Sequence, residues 1–382
     1  MKNGLFEKMK RNILILIFCV FIGIMMLLFF LVPSKDYSSN EKRYLQQMPK
    51  FSWASLTDGT FGKDFEKYLS DQFAGRQFFV GLNSYFDLFS GRNGANGIYS
   101  GDDGYLMNLP TAIDQKNIQK NIEKFNNFQT IVNQKINFMV VPSTGYIMDD
   151  KLPKLHDVYH DGEILDWISR DLNQAFNFLD MTQDFKTEKE NAQLYYKTDH
   201  HWTSKGAYLA YQKFCSSVGL NAIPESDYDK KIYPDFYGTT YSKSALWMKQ
   251  PDNIEVWQSK RPQDITVEIA DSEQETKTGN SLFFPEHLSE DDKYPVYLDG
   301  NHSFVRITNK ASDGGKLLVI KDSFGQCLAP FFADNYSEIV MVDLRYYKQP
   351  LSELVQQEGF DDIFVVYGLD TFVTDNNIVW LK

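Results

Sequence analysis

The chain is predicted to fold as an α/β domain around a mostly parallel sheet, and three observations predict it. Short apolar runs at 136–141, 316–320, 339–342 and 363–367 read as buried strands. Amphipathic stretches at 115–134, 162–178 and 204–217 alternate with them as helices, the rhythm of βα units. Hydrophobic residues make up 43% of the 382 and charged residues 24%, which supplies a core and excludes wholesale disorder, collagen and a multi-span membrane protein. At ~150 residues per domain the length suits one enlarged domain or two.

The first element is of another kind. Ile13 to Val32 are twenty residues without a charge, enough to cross a ~30 Å hydrocarbon core as a helix. Lys2, Lys8, Lys10 and Arg11 precede it and outweigh Glu7, which sets the N-terminus inside. A cleavable signal peptide has a shorter apolar region, ~7–15 residues, and a small-residue cleavage site; here Val32-Pro33-Ser34-Lys35-Asp36 follows. We therefore read 1–12 as a cytoplasmic basic segment, 13–32 as a transmembrane signal anchor, 33–60 as a linker and 61–382 as an extracytoplasmic domain. Phe61, Phe65, Tyr68, Leu69 and Phe73 recur at helical spacing and are expected to pack on a core. Gly-rich residues 91–104 form turns. Residues 222–300, rich in Tyr, Pro, Asp and Ser, interrupt the rhythm as a loop-rich insertion. The absence of a fixed-period repeat excludes solenoids and propellers.

The net charge of −12, without a Lys/Arg block beyond the first dozen residues, argues against a nucleic-acid partner. Of three cysteines, Cys215 and Cys327 lie outside the apolar span, too few for a disulfide framework and without metal-ligand spacing; Cys215 reads as a buried thiol.

The densest polar cluster is the block from Tyr195 to Tyr208, and three readings of it stand side by side. Asp199 and a histidine can form the orienter and general base of a nucleophilic site. Asp199, His200 and His201 can be metal ligands, although adjacent side chains diverge and further ligands would be required. Thr203 or Ser204 can simply cap the helix that follows. A partner nucleophile is suggested by Leu317-Leu318-Val319-Ile320-Lys321-Asp322-Ser323-Phe324-Gly325, an apolar strand ending in a serine before a turn. Open α/β folds place ligands at that carboxyl edge, and the Ser323 N–H there can stabilise an oxyanion. Capping by Asp322 or Ser323 is the bland alternative.

Asp-x-His-Trp followed far downstream by Asp-Ser-Phe resembles the SGNH-hydrolase-like proteins of bacterial polysaccharide O-acetylation, the alginate O-acetyltransferase group. The spelling Asp199-His200-His201-Trp202 resembles the related DHHW family. The resemblance implies an SGNH hydrolase-like, flavodoxin-like sheet with permuted motif order, His201 lying 122 residues before Ser323. It implies Ser323 as nucleophile, His201 as general base and Asp199 as its orienter. Gly300 and Asn301 are candidates for the oxyanion hole, and Trp202, Tyr237 and Arg345 for substrate contact, with Tyr241 and Trp247 as further aromatic walls. Lys321 stands where many members have glycine. The implied function is extracytoplasmic O-acyl transfer, in particular O-acetyl transfer, to a cell-surface or secreted polysaccharide through an acyl-enzyme. A carbohydrate or lipid esterase with the same triad, or a non-catalytic glycan-binding assembly protein, are the alternatives. The expected partners are a polysaccharide acceptor and a membrane-bound O-acyltransferase that delivers the acyl donor; no cofactor or metal is expected. The expected location is the bacterial cell membrane, single-pass, with the catalytic domain extracytoplasmic.

Overall fold

The structure is a computed structural model that describes residues 2–272 and 275–381. Side chains of residues 2–9, 272 and 275 lie outside the described residues, and with them most of the basic segment 1–12. The chain divides into two compact units, residues 1–89 and 90–382.

The first unit opens on helix Lys2–Leu31, whose part Lys10–Leu31 is long and apolar enough to cross a membrane, with mean hydropathy 3.3. Residues 33–60, expected as a linker, carry an antiparallel pair, Tyr37–Ser38 with Arg43–Tyr44, and helix Trp53–Thr57 behind a Ser52 capping box. Charge pairing orders this stretch. Arg43 forks onto buried Asp71 at 2.7 and 2.9 Å, and Glu41 receives both Arg43 and Arg76. The Arg43 bond holds the Asp71 carboxyl down at about 2. Helices Thr60–Asp71 and Arg76–Phe89 follow. The aromatic stripe expected to be core is not: Leu69 and Phe73 are exposed, and Phe61, Phe65 and Tyr68 are half-buried, touching one another and, through Tyr68, Phe29 of the first helix.

The second unit is built on an eight-stranded sheet: β1 (Ile136–Val141), β2 (Phe176–Phe178), β3 (Ile265–Ser272), β4 (Glu275–Gly279), β5 (Phe304–Asn309), β6 (Lys316–Lys321), β7 (Glu338–Val342) and β8 (Asp362–Gly368), in the order β4-β3-β5-β7-β6-β8-β1-β2. From β7 to β2 every pairing is parallel, with Ile320 level with both Val342 and Val365; β4, β3 and β5 add an antiparallel edge. The parallel strands are apolar on both sides because both sides are covered. Leu317, Val319, Met341 and Val366 face one apolar cluster with Ala207, Tyr211 and Phe214 of helix Ser204–Val218. Leu318, Ile320, Val340 and Val365 face the other, with Ile118, Ile122, Phe125 and Phe128 of helix Gln115–Val132. Asp114 caps the second of these helices, accepting the Asn117 N–H at 3.0 Å, and the left-handed Gly219 ends the first.

The helix read over 162–178 stops at Asp171. Asn126 bonds the Asp171 carbonyl and the Asn173 N–H, and the alternating Phe176 and Phe178 then pair with β1 as an edge strand. The 222–300 insertion holds strands beside its loops. Tyr228–Phe236 pairs antiparallel with Asp252–Ser259, and the later residues supply β3 and β4. The Gly-rich turns likewise contain a small antiparallel sheet, Gly94–Ala95, Ile98–Ser100 and Leu106–Asn108.

Candidate active site

β6 delivers Ser323, on a buried turn, to the carboxyl edge of the sheet. Asp322 is extended and caps the short 3-10 turn Ser323–Leu328: its Oδ1 accepts the Phe324 N–H at 2.9 Å. Its Oδ2 accepts the Gly368 N–H, also at 2.9 Å, so one carboxylate ties the ends of neighbouring strands β6 and β8. Burial pushes the Asp322 carboxyl above its ordinary range, against the pull of Arg345 and these amides. Gly368 must lack a side chain here, since a Cβ would lie 2.5 Å from the Phe324 ring. Gly325 is constrained in the same way by Lys321, whose stem stands 2.7 Å from that Cβ position.

The block that follows Leu194 is clasped at the same edge. Tyr195 donates to the Pro142 carbonyl just past β1 at 2.7 Å, and Leu106 N–H bonds the Lys197 carbonyl at 2.7 Å. Asp252 receives the Thr198 N–H and hydroxyl at 2.8 and 2.6 Å. These bonds leave Asp199 and His201 beside Ser323: His201 Nδ1 lies 2.5 Å from Asp199 Oδ1 and His201 Nε2 2.7 Å from Ser323 Oγ. The other Asp199 oxygen accepts the Thr239 N–H at 2.6 Å and the Thr239 hydroxyl at 2.9 Å. Burial opposes the Asp199 charge, but His201, His200 and these hydrogen bonds hold its carboxyl well below the usual range. Tyr294 stacks on the His201 ring at 4.1 Å and 9°, fixing its plane.

His200 bonds the Thr239 hydroxyl through Nδ1 at 2.6 Å, and burial together with the neighbouring His201 pushes it down to about 4. Asp199, His200 and His201 also present atoms within 4.8 Å of one another, the reach of a metal site. Those atoms are engaged with one another, Thr239 and Ser323.

The sequence profile of the DHHW protein family matches residues 126–342, a span that holds both the Asp199–Trp202 spelling and Ser323. The chain belongs to the DHHW family. Its fold is shared with a DHHW family protein from Eubacterium siraeum, at TM-score 0.66 and 24% identity over 75% of this chain and 96% of that one. Bacillus cereus PatB1 with a sulfonyl adduct follows at TM-score 0.64 and 21% identity, over 75% and 98%. PatB1 in a second structure gives 0.62 and 20%, over 74% and 98%. No curated protein sequence matches the chain. The fold is thus the α/β arrangement shared with these structures, a mostly parallel sheet covered by helices on both faces.

Within this DHHW fold the remaining site candidates separate. Arg345 lines an open cleft of about 660 Å³ beside His200 and Thr239, its guanidinium forked onto Asp343 at 2.5–3.2 Å. Trp202 is a correction: it is fully buried, donates to the Phe324 carbonyl at 3.2 Å and offers no face to a ligand. Tyr241 is buried too, and half-buried Tyr237 lies against it at 4.4 Å, outside the cleft lining, so the expected aromatic wall does not form there. Gly300 and Asn301 approach the Ser323 turn through Gln326, whose amide reaches both; their contact is three residues past Ser323 rather than with Ser323 itself. Cys215 and Cys327 are buried free thiols, each pushed up to about 12 by burial. Sequence reasoning missed Thr239, Asp252 and Tyr294. Their chain positions carry no motif, and only packing brings them to the Tyr195–Tyr208 block.

Proposed function

We propose that this DHHW protein is a membrane-anchored, extracytoplasmic O-acyltransferase that moves acetyl groups onto a cell-surface or secreted polysaccharide. Ser323 is the nucleophile, His201 the general base and Asp199 the group that orients it. The single observation that carries the reading is the unbroken chain of hydrogen bonds from Asp199 through His201 to Ser323, at 2.5 and 2.7 Å. His201 Nε2 takes the Ser323 proton as Oγ attacks the donor carbonyl, and the ionised Asp199 stabilises the imidazolium that forms. That proton then passes to the leaving group, and an acyl-serine remains. In the second half-reaction His201 takes the proton of a sugar hydroxyl, whose oxygen attacks the ester and returns Ser323. The cleft beside His200 is lined by hydroxyl and amide groups, including Thr111, Thr239 and Asn108, which suits a polyhydroxylated acceptor. The apolar span Lys10–Leu31 supports anchoring near a membrane-bound O-acyltransferase that supplies the acyl group.

The test uses the full chain in detergent with a chromogenic acetyl ester, with and without an oligosaccharide acceptor panel, comparing wild type with Ser323→Ala. Acetate appearing on the sugar by mass spectrometry only with wild type supports transfer. Ser323-dependent release with no sugar product would replace the reading with an esterase. Equal inactivity of two folded proteins would remove it. A sulfonyl fluoride provides a donor-independent check, since an activated serine should gain a sulfonyl mass at Ser323 that Ser323→Ala does not.

A further inference from the structure

Helix Arg76–Phe89 turns an apolar stripe outward. Phe78, Leu82, Phe86 and Phe89 recur at i, i+4, i+8 and i+11 and are exposed by 65, 54, 67 and 86%. A water-facing helix would place polar residues at these positions. Beside the stripe, Phe79 meets Phe21 edge-on with ring centroids 6.2 Å apart, and Tyr68 of the preceding helix meets Phe29 in the same way at 5.8 Å. Phe21 and Phe29 belong to the apolar span Lys10–Leu31, so apolar surface continues from that span onto the stripe. The polar start of the helix is directed elsewhere: Arg76 bonds Glu41 at 2.9 Å and Gln77 bonds Ser38 at 2.8 Å. Trp53 and Phe51 are also exposed, aromatic types that favour the headgroup level.

We infer that helix Arg76–Phe89 is an interfacial membrane helix, its Phe78, Leu82, Phe86 and Phe89 side chains set among the acyl chains of the outer leaflet next to the anchor. The inference rests on reading Lys10–Leu31 as a membrane span. Continuity with the span selects lipid as the occupant, because whatever solvates the exposed faces of Phe21 and its neighbours also reaches the adjoining stripe. Acidic and basic residues balance between Pro33 and Phe89, so anionic headgroups are not repelled. The helix ends where the second unit begins, so lipid contact extends to the residue before that unit.

The experiment reconstitutes the full chain, in a Cys19→Ala background, into phosphatidylcholine–phosphatidylglycerol vesicles with a nitroxide on Leu82→Cys or Phe86→Cys. Leu27→Cys within the span and Asp313→Cys on the second unit serve as lipid and water references, and buried Cys215 and Cys327 stay unlabelled in a folded variant. Power saturation compares collisions with oxygen and with a water-soluble nickel chelate. The expected result is an oxygen preference at 82 and 86 several-fold above that at 313 and close to that at 27. Water-like values at 82 and 86 with a lipid-like value at 27 overturn the inference and leave the anchor standing. Shielding from both reagents overturns it in favour of a protein cover. A water-like value at 27 removes the anchor reading and the inference with it.

Discussion

At the residue scale, Gly238 is the position where one methyl group would reach the proposed triad. A Cβ there would lie 2.1 Å from the Asp199 Cβ and 2.4 Å from its Oδ2, so alanine must displace the carboxylate or the loop. Since misplacement by ~1 Å can cost ~100-fold, Gly238→Ala should slow sulfonyl labelling of Ser323 by about that factor, and because the clash reaches the buried Asp199 Cα as well as its side chain, it should also lower the melting temperature. Thr239→Ala should cost less, because its backbone N–H still serves Asp199. Lys321 tests the opposite sign. Its ammonium is fully buried, has no hydrogen-bond partner among the described residues and stands 3.9 Å from Asp343; burial pushes it down to about 8. Between pH 8 and the usual Lys range the unfolded chain binds more protons than the folded one, so wild-type stability should rise with pH there. Lys321→Met removes that rise and should stabilise the protein at pH 7 by about 1–3 kcal/mol, which chemical denaturation at pH 7 and 10 measures.

At the element scale, Asp161 opens helix Asp161–Asp171 and receives the N–H and hydroxyl of Ser143 at 2.7 and 2.5 Å, joining that helix to the end of β1. Burial raises its carboxyl to about 6 despite those bonds. The folded chain therefore holds this proton at a pH where the unfolded chain has released it, and the contribution falls as pH rises from about 4 to about 6. Asp161→Asn should flatten the stability profile in that window, removing a pH-dependent difference of up to ~3 kcal/mol. Denaturant midpoints at pH 4 and 6.5 decide it. The same β1 edge shows how an element escapes its sequence pattern: residues 172–175 separate helix from strand without Gly or Pro, and Asn126, far away in sequence, ends the helix through hydrogen bonds.

At the scale of the whole molecule, the cysteines of the second unit report its integrity. Cys215 and Cys327 are buried on the core side that carries helix Ser204–Val218. In detergent and in a Cys19→Ala background, native protein should take up no alkylating group and denatured protein two, with no mass change on prior reduction. A group on native protein at Cys327 would show that the core around Ser204, Tyr297 and Cys327 opens. The net charge of −12 is carried by a molecule whose first unit bears the apolar span Lys10–Leu31 and whose second unit holds the proposed triad.

The sequence by itself determined the elements whose cause is local. Lys10–Leu31 is helical and apolar by composition, β1, β6, β7 and β8 announce themselves as unbroken apolar runs, and the Asp199–Trp202 and Asp322–Phe324 spellings identify the triad candidates. Packing alone decided the rest. The antiparallel edge of β3, β4 and β5 depends on partners distant in the chain, and Trp202, chosen from its neighbourhood as a sugar platform, is buried because Phe185 and Phe324 close over it. Thr239 and Tyr294 reach Asp199 and His201 from residues 40 and 93 positions later. Local pattern encodes which residues prefer burial, but which face meets which is fixed only when distant segments exclude water from one another.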